Sequence, residues 1–229
     1  MAKRVQLAVK NGTPVEGELA APAGTGKCPA LVLIQEWWGL SDHIRALVDR
    51  FAHEGFLTLA PDLYHGKIPP NVEEAGKLMT ALDKPKAVAE IGEAVAFLES
   101  HERSSGKVAV IGFCMGGALA FAAAATLPRL AATVPFYGLP SMKLDWSHVT
   151  APVLAHFAKH DDWATASGAE EIKRAIDAAG KTTMVLHVYD AHHAFMRDSD
   201  AKVYEPKSAT LAWERTLAFL RTHTAARTA

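Results

Sequence analysis

Three shortages in this sequence each exclude a class of protein. Two cysteines, Cys28 and Cys114, occur among 229 residues, too few for the disulfide framework of a small secreted domain, so a reducing compartment is expected. Net charge is nearly absent, because 24 basic residues balance 25 acidic ones without a run of one sign. We therefore expect no nucleic-acid partner and no membrane-surface partner. No apolar run is long enough to cross a membrane.

The start of the chain and its composition predict a globular protein of the cytoplasm. Met1-Ala2-Lys3-Arg4 lacks the apolar core of a signal peptide. A hydrophobic content of 49% with 21% charged residues is ordinary for a protein with a substantial core. No internal repeat or linker-like stretch divides residues 1–229, so we expect one α/β domain, as a monomer or a weak homo-oligomer.

Strand and helix patterns alternate along the chain. The run over residues 30–35 has no polar alternation until its end, as is typical of a strand buried on both faces of a parallel sheet. Further strands are predicted over residues 56–60, 108–111, 131–137, 152–157 and 182–189, and helices over 41–54, 72–82, 86–101, 118–127, 167–179 and 208–223. This order predicts a doubly wound, mostly parallel sheet flanked by helices.

Two features lie outside this alternation. Residues 4–20 alternate weakly around Asn11-Gly12, which predicts an N-terminal hairpin at the sheet edge. Residues 21–29 are predicted to form a loop that includes Cys28, a cysteine for which we expect no function.

The strongest signal lies within residues 107–126. A strand pattern is followed by Gly112-Phe113-Cys114-Met115-Gly116-Gly117 and then by an Ala-rich helix, the order of a G-x-S-x-G elbow with cysteine in the serine position. The small residues let strand and helix approach closely. Cys114 would then lie at a helix N-terminus, where the helix dipole favours the reactive thiolate. The alternative is a small buried apolar residue, but the flanking glycines favour a nucleophile.

A base and an acid follow in the expected order. In the α/β-hydrolase arrangement the nucleophile, the acid and the histidine appear in that order, each after a strand. Here Cys114 precedes Asp161 or Asp162, and then His192 or His193, and the residues alone leave both choices open, although Asp161 follows its strand sooner. A zinc site is disfavoured, because adjacent histidines do not converge on one metal and no C-x-x-C or H-x-x-x-H spacing is present.

Taken together, these motifs resemble those of the dienelactone hydrolase family, the carboxymethylenebutenolidases. The resemblance spans essentially the whole chain and rests on Gln35-Glu36-Trp37-Trp38-Gly39, Pro61-Asp62-Leu63-Tyr64, the 112–117 segment, the Asp161 loop and His193-Ala194-Phe195. It implies an α/β-hydrolase fold with a triad of Cys114, His193 and Asp161, and no cofactor or metal. His193 is selected because the family's histidine stands two residues before a phenylalanine.

The resemblance also implies roles around the thiol. In similar enzymes the glutamate at the position of Glu36 helps to activate the thiol when substrate binds, and a carboxylate in a partly apolar pocket could accept the thiol proton. The alternative is that Glu36 only pairs with a backbone group or a cation. The backbone N–H groups of Trp37 and Met115 would form the oxyanion hole.

The expected substrate contacts depart from the family pattern. Arg197 matches one arginine that binds the substrate carboxylate, but the second arginine and its tyrosine would fall within residues 72–76, where this chain has Val-Glu-Glu-Ala-Gly. Losing one cation weakens the case for an anionic substrate. The chain is also short between Tyr64 and Val72, which would open the pocket. We expect its walls to include Trp38, Tyr137 and Trp163.

These residues together predict a cysteine-dependent hydrolase of small lactones or enol-type esters that proceeds through a thioester. A promiscuous carboxylesterase is the alternative within enzymes, and the altered residues at 72–76 favour it. A thiol redox sensor that uses Cys114 is the alternative of another class. A binding scaffold without activity is disfavoured by the complete triad.

Overall fold

An eight-stranded sheet runs through the residues that the computed structural model describes, 1–7 and 14–225. Its strands are β1 (Lys3–Leu7), β2 (Val15–Ala20), β3 (Cys28–Ile34), β4 (Leu57–Pro61), β5 (Ser104–Phe113), β6 (Ala132–Phe136), β7 (Val153–His160) and β8 (Met184–His192). They lie in the order β1-β2-β4-β3-β5-β6-β7-β8. All neighbours from β4 to β8 are parallel, whereas β2 is antiparallel to both β1 and β4. The predicted mostly parallel sheet is confirmed.

Helices cover both faces of this sheet. They are α1 (Asp42–His53), α2 (Val72–Ala81), α3 (Lys84–Ser100), α4 (Met115–Thr126), α5 (Ala166–Ala179) and α6 (Pro206–Thr224). Leu31 and Leu33 of β3 pack with α1 and α6, whereas Val32 and Ile34 of the same strand pack with α3 and α4. Side chains of a strand alternate between its two faces, so both faces are buried and the fold is doubly wound. In the described ranges, no helix is long and apolar enough to span a membrane.

The helix ends follow from local sequence. The apolar residues predicted at 44, 47, 48 and 51 are all buried on one face of α1. Gly55, two residues after the end of the helix, has a φ of +99° and turns the chain away from it. The side chains of Asn71 and Asp83 accept backbone N–H groups at the starts of α2 and α3. α4 has no polar face, because its small residues are buried between the sheet and neighbouring helices.

The structure corrects three sequence-based boundaries. Cys28 lies in β3 and not in a loop; its thiol is buried and donates to the carbonyl of Arg103, 3.3 Å away. β7 and β8 extend to His160 and His192, beyond the predicted ends at 157 and 189, because their pairing continues past an irregularity between Ala158 and His160. The polar residues at these strand ends hid the continuation, since they lie on the open surface.

The predicted N-terminal hairpin pairs β1 with β2 at one edge of the sheet. Its strands are confirmed as antiparallel neighbours, with Lys3 opposite Leu19 and Leu7 opposite Val15. The turn expected at Asn11-Gly12 lies outside the described residues.

Candidate active site

The turn from β5 into α4 holds Cys114 in a strained backbone conformation. Its φ and ψ are +55° and −117°, a backbone conformation that residues other than glycine rarely adopt and that costs about 1–3 kcal/mol. Its N–H donates to the carbonyl of Phe136 at the end of β6, 3.1 Å away, and its own carbonyl accepts the N–H groups of Gly117 and Ala118. The thiol is partly buried at the N-terminus of α4. Hydrogen bonds with the surrounding backbone therefore stabilise this strained conformation.

Two glycines of the elbow are required by close backbone contacts. A Cβ atom at Gly112 would lie 2.0 Å from the carbonyl oxygen of Gly116, and one at Gly116 would lie 2.4 Å from that of Ile34. No side chain fits at either distance, so α4 can reach the sheet this closely only with glycine at both positions. The sequence-based reason for these glycines is confirmed.

His193 and Asp161 meet at the carboxyl ends of β7 and β8. Nδ1 of His193 lies 2.6 Å from Oδ2 of Asp161, and the other carboxylate oxygen accepts the N–H groups of Trp163 and Ala164 at 2.9 Å. Burial acts to raise the pKa of Asp161, but the hydrogen bonds from His193, Ala164 and Trp163 hold it below its usual value. Burial likewise acts to lower the pKa of His193, but Asp161 and the nearby Cys114 raise it to about 10. Nε2 of His193 is buried and makes no hydrogen bond within the described part of the protein.

The neighbouring candidates, Asp162 and His192, line a cavity beside Cys114 but do not join this hydrogen bond. Asp162 is exposed, and the ring of His192 contacts the backbone carbonyl of His160, 3.2 Å away. The structure thus pairs Asp161 with His193, out of the four combinations that the residues alone had left open.

Glu36 is a buried carboxylate in the turn after β3. Glu36 is 2% exposed, and its Oε2 has no hydrogen-bond partner among the described residues. The turn is closed by the N–H of Gly39, which donates to the carbonyl of Glu36. Burial raises the pKa of Glu36, while His43, Arg197 and His193 act to lower it. The carboxylate therefore lies near ionisable side chains, but no side chain or backbone group of the described residues donates a hydrogen bond to its Oε2.

His43 is a neighbour of Glu36 that sequence reasoning missed. It lies in the first turn of α1, its side chain is 5% exposed, and Nδ1 lies 3.3 Å from Oδ1 of Asp198. Its other ring nitrogen is buried and has no partner within residues 1–7 and 14–225. The signal in the sequence was a histidine placed among the apolar residues of an amphipathic helix.

Several unpartnered polar atoms lie in or near the walls of the two cavities at Cys114, in addition to those of Gln35, Asp49 and Thr133, which line neither cavity. Glu36, His43, Tyr137, His193 and Arg197 each carry one buried nitrogen or oxygen without a hydrogen-bond partner in the described structure. Buried polar groups are usually paired, and exceptions call for an explanation. A ligand that supplies the missing partners would explain the atoms at the cavity walls.

The two N–H groups expected in an oxyanion hole are free. Among the described residues, neither the N–H of Trp37 nor that of Met115 donates a hydrogen bond. The N–H of Met115 is the first of α4, so the helix itself offers it no acceptor. Tyr64, which contacts the sulfur of Met115 through its hydroxyl at 3.3 Å, supports this residue from below the turn.

Two cavities open beside Cys114. The first, of about 390 Å³, has charged side chains in its wall, Glu36, Asp161 and Arg197, beside the aromatic rings of Trp37 and Trp38. The second, of about 360 Å³, is lined mainly by apolar side chains, among them Met79, Met115, Ala118, Tyr137 and Leu139. Three residues line both: Cys114, Trp163 and His193.

The expected wall residues divide between the two cavities. The guanidinium of Arg197 lies 5.1 Å from the ring centre of Trp38 in the first cavity. Tyr137 lines the second cavity with φ +32° and with its ring 5.2 Å from that of His193. Trp163, 67% exposed, packs edge-on against Trp37 at the mouth.

The departure from the family pattern at residues 72–76 has a structural counterpart. None of these residues lines either cavity, and α2 contributes Met79 and Thr80 to the second one. The second cavity does have a cation in its wall, Lys84 at the start of α3. Sequence reasoning missed Met79, Lys84, Leu139 and Ser141. The loop after β6 could have indicated the last two, because ligands bind beyond the carboxyl ends of parallel strands.

Known proteins share this sequence and fold. A protein named usf from Aquifex pyrophilus is 38% identical over 93% of this chain and 95% of its own, and a carboxymethylenebutenolidase from Pseudomonas sp. (strain P51) is 32% identical over 96% and 95%. The structure of a dienelactone hydrolase-like promiscuous phosphotriesterase from metagenomic libraries has the same fold, with a TM-score of 0.87 over 98% of this chain and 99% of that one, at 22% identity.

A family model extends these similarities across nearly the whole chain. It matches residues 15–224, from the second strand to the last residue of α6, and so includes the elbow, the Asp161 loop and the His193 turn. The chain belongs to the dienelactone hydrolase family.

Proposed function

We propose that this protein hydrolyses small lactones and enol-type esters through a thioester formed on Cys114. The observation that carries the proposal is the pairing of His193 with buried Asp161, because it leaves Nε2 of His193 free at the two cavities that Cys114 lines. A nucleophile, a base and a group that orients the base are what nucleophilic acyl transfer requires.

In the first half of the reaction, Nε2 of His193 takes the proton of the Cys114 thiol, and Sγ attacks the ester carbonyl carbon to form a tetrahedral oxyanion. The N–H groups of Trp37 and Met115 are free to donate to that oxygen, and each such donor is typically worth about 3 kcal/mol. The oxyanion collapses, the carbon–oxygen bond to the leaving group breaks, and His193 delivers the proton to the leaving oxygen. In a lactone the leaving oxygen stays attached to the same acyl chain.

In the second half, water attacks the thioester. His193 takes the proton from the water, the carbon–sulfur bond breaks, and the carboxylic acid leaves while Cys114 is regenerated. Asp161 holds Nδ1 of the imidazole and stabilises its protonated form, which agrees with the pKa of about 10 for His193. No metal or cofactor takes part in these steps.

Glu36 serves as an auxiliary base for the thiol. Its carboxylate lies buried in the same cavity wall as Cys114, and burial raises its pKa toward the range in which a carboxylate can accept a proton. Burial is the larger influence on this pKa, and the positive charge of Arg197 acts against it by favouring the ionised carboxylate.

The substrate class follows from the first cavity. Arg197 provides one cation for a substrate carboxylate, and a relative from Pseudomonas sp. (strain P51) is named a carboxymethylenebutenolidase. A general carboxylesterase is the second candidate. It is favoured by the absence of a second arginine at residues 72–76 and by two open cavities in place of one closed pocket. We place the activity in the cytoplasm, where a reducing environment suits two unpaired cysteines, and in a monomer or weak homo-oligomer.

Steady-state hydrolysis of a dienelactone and of p-nitrophenyl acetate tests this proposal. Cys114→Ala should lose activity on both by at least about 10³-fold. Cys28→Ala is the matched control, since it removes the other thiol, which lies in β3 and lines neither cavity, and it should keep the wild-type rates. Mass spectrometry after rapid quenching should find the acyl group on Cys114.

The outcomes separate the candidates. A kcat/KM for the dienelactone well above that for the simple ester supports a lactone hydrolase with Arg197 as the carboxylate anchor, and the reverse ranking supports a general esterase. If the Cys114→Ala variant still hydrolyses these substrates, Cys114 is not the nucleophile. A protein without hydrolytic activity whose Cys114 is oxidised reversibly by peroxide would be a redox sensor.

A further inference from the structure

The second cavity beside Cys114 has a different chemical character from the first. Among the residues that the structure describes, no carboxylate lines it, whereas the first cavity has Glu36, Asp161, Asp162 and Asp200 in its wall. Its apolar contributors come from four places in the fold: Met79 of α2, Ala118 of α4, Leu139 after β6, and Trp163 with Ala164 after β7. A substrate group that enters this space leaves water for an apolar surface.

A third and smaller cavity continues this apolar space. It measures about 40 Å³ and shares five lining residues with the second cavity, Met79, Lys84, Met115, Ala118 and Ser141. Its remaining wall includes Leu82, Leu119 and Met142. Methionine side chains are unbranched and adapt to the shape of a neighbour, so three of them around one channel allow it to widen for a chain.

We propose that the second cavity and its narrow extension form a binding site for an apolar substituent of the ester, an alkyl or aryl group, while the carbonyl carbon lies at Cys114. This inference rests on the proposed function, because it uses Cys114 as the nucleophile. The site is continuous with the reaction centre, since Cys114 and His193 line the second cavity as well as the first. One part of the substrate therefore occupies the cavity that holds Arg197, and the apolar part occupies the cavity that holds Met79.

The lysine in this wall is compatible with an apolar occupant. Lys84 is half-buried, it begins α3, and it lines both the second cavity and the extension. A lysine stem can cover apolar surface while its ammonium group reaches water. The rival occupant is an anionic substituent paired with that ammonium group, which predicts a preference for dicarboxylic half-esters and no rise in kcat/KM with added methylenes.

Chain-length dependence provides the test. We would measure kcat/KM for two series of esters, one with a growing straight acyl chain on p-nitrophenol and one with acetate on a growing straight-chain alcohol. In one of the two series, each added methylene should raise kcat/KM about fourfold until the site is filled. The series that responds identifies which part of the ester enters the second cavity.

Met79→Trp should abolish this rise, because the larger side chain fills the cavity, and Met79→Ala should extend the rise by further methylenes. Lys77→Trp is the control on the same helix, because Lys77 is exposed and lines neither cavity; the chain-length dependence should stay as in the wild type. The two Met79 variants change volume in opposite directions, so a folding defect in one leaves the other informative.

The results that overturn the inference are specific. A wild-type kcat/KM that does not change with chain length in either series, or a rise that both Met79 variants leave intact, excludes an apolar site here. A preference for dicarboxylic half-esters that Lys84→Met removes would assign the cavity to an anion instead. If wild-type hydrolysis is absent or survives Cys114→Ala, the proposed function fails and this inference fails with it. Cys114-dependent hydrolysis without chain-length dependence defeats the inference alone.

Discussion

Nδ1 of His193 lies 2.6 Å from a carboxylate of Asp161 whose side chain is 1% exposed, while His160 contacts Asp190 at 2.8 Å where the carboxylate is 81% exposed. Each pair joins a histidine to an aspartate, but the first aspartate is buried and the second is exposed to solvent. Charge-assisted hydrogen bonds are stronger where water is excluded, so only the first pair can hold an imidazole in one orientation against solvent.

The first prediction compares these pairs. Asp161→Asn should lower kcat/KM for p-nitrophenyl acetate by about 10²–10⁴-fold, because the amide cannot hold His193 in the same tautomer or stabilise its charged form. Asp190→Asn should leave kcat/KM within about twofold, since exposed pairs contribute little. Equal losses in the two variants would contradict the role given to Asp161.

The pKa of His193 predicts a loss of stability at alkaline pH. Its folded value of about 10 lies above the ordinary 6.5, so the folded state binds more protons than the unfolded state between these values. The stabilisation is therefore complete below about pH 6.5 and is lost as the pH rises toward 10. Urea unfolding across this range should show a shallower loss in His193→Gln than in the wild type. His148→Gln, at an exposed site, should follow the wild-type slope, and parallel slopes for all three proteins would refute the prediction.

Glu36 should trade stability for activity. Burial raises its pKa, and Oε2 has no hydrogen-bond partner in the described part of the chain, so burial disfavours the ionised carboxylate in the folded state. Glu36→Gln should then keep or raise the Tm at neutral pH while lowering kcat/KM by about 10²-fold. Glu102→Gln, at an exposed position, should change neither quantity. A Glu36→Gln variant with wild-type kcat/KM would limit Glu36 to a structural role.

The glycines provide a fourth prediction. Gly112→Ala should destabilise the protein by more than about 4 kcal/mol or prevent folding, since the new methyl group would lie 2.0 Å from a backbone oxygen. Gly76→Ala, within α2 and with no atom inside 4 Å of the added Cβ, should stabilise by about 0.5–1 kcal/mol. Urea unfolding measures both, and an unchanged free energy for Gly112→Ala would mean that the elbow relaxes.

Sequence could predict the parts of this molecule that depend on local pattern. Residues 30–35 were predicted to form a central strand, because an unbroken apolar run needs a sheet that is covered on both faces. β3 lies in the interior of the sheet and ends at Ile34. Once the sheet was parallel, Cys114, Asp161 and His193 were expected together, since the carboxyl ends of parallel strands meet at one edge. The structure brings these three around shared cavities.

Contacts between distant segments could not be predicted in the same way. Met79 and Leu139 enter one cavity wall from a helix and a loop whose approach depends on packing and not on local pattern. The pairing of His43 with Asp198 joins α1 to the turn after β8, and neither residue carries a motif. The ends of β7 and β8 were placed too early because exposed polar residues at a strand end look like a loop.

The position of β8 has a consequence for how activity is lost. Among the described strands it is the last in the sheet and pairs only with β7, yet the turn that follows it places His193 against Asp161. Edge elements open more readily than the centre of a sheet, and such local opening need not involve the remaining strands. Under mild denaturant, hydrolysis should therefore disappear while most of the fold persists, and enzyme activity becomes a direct reporter of whether one edge strand is still in place.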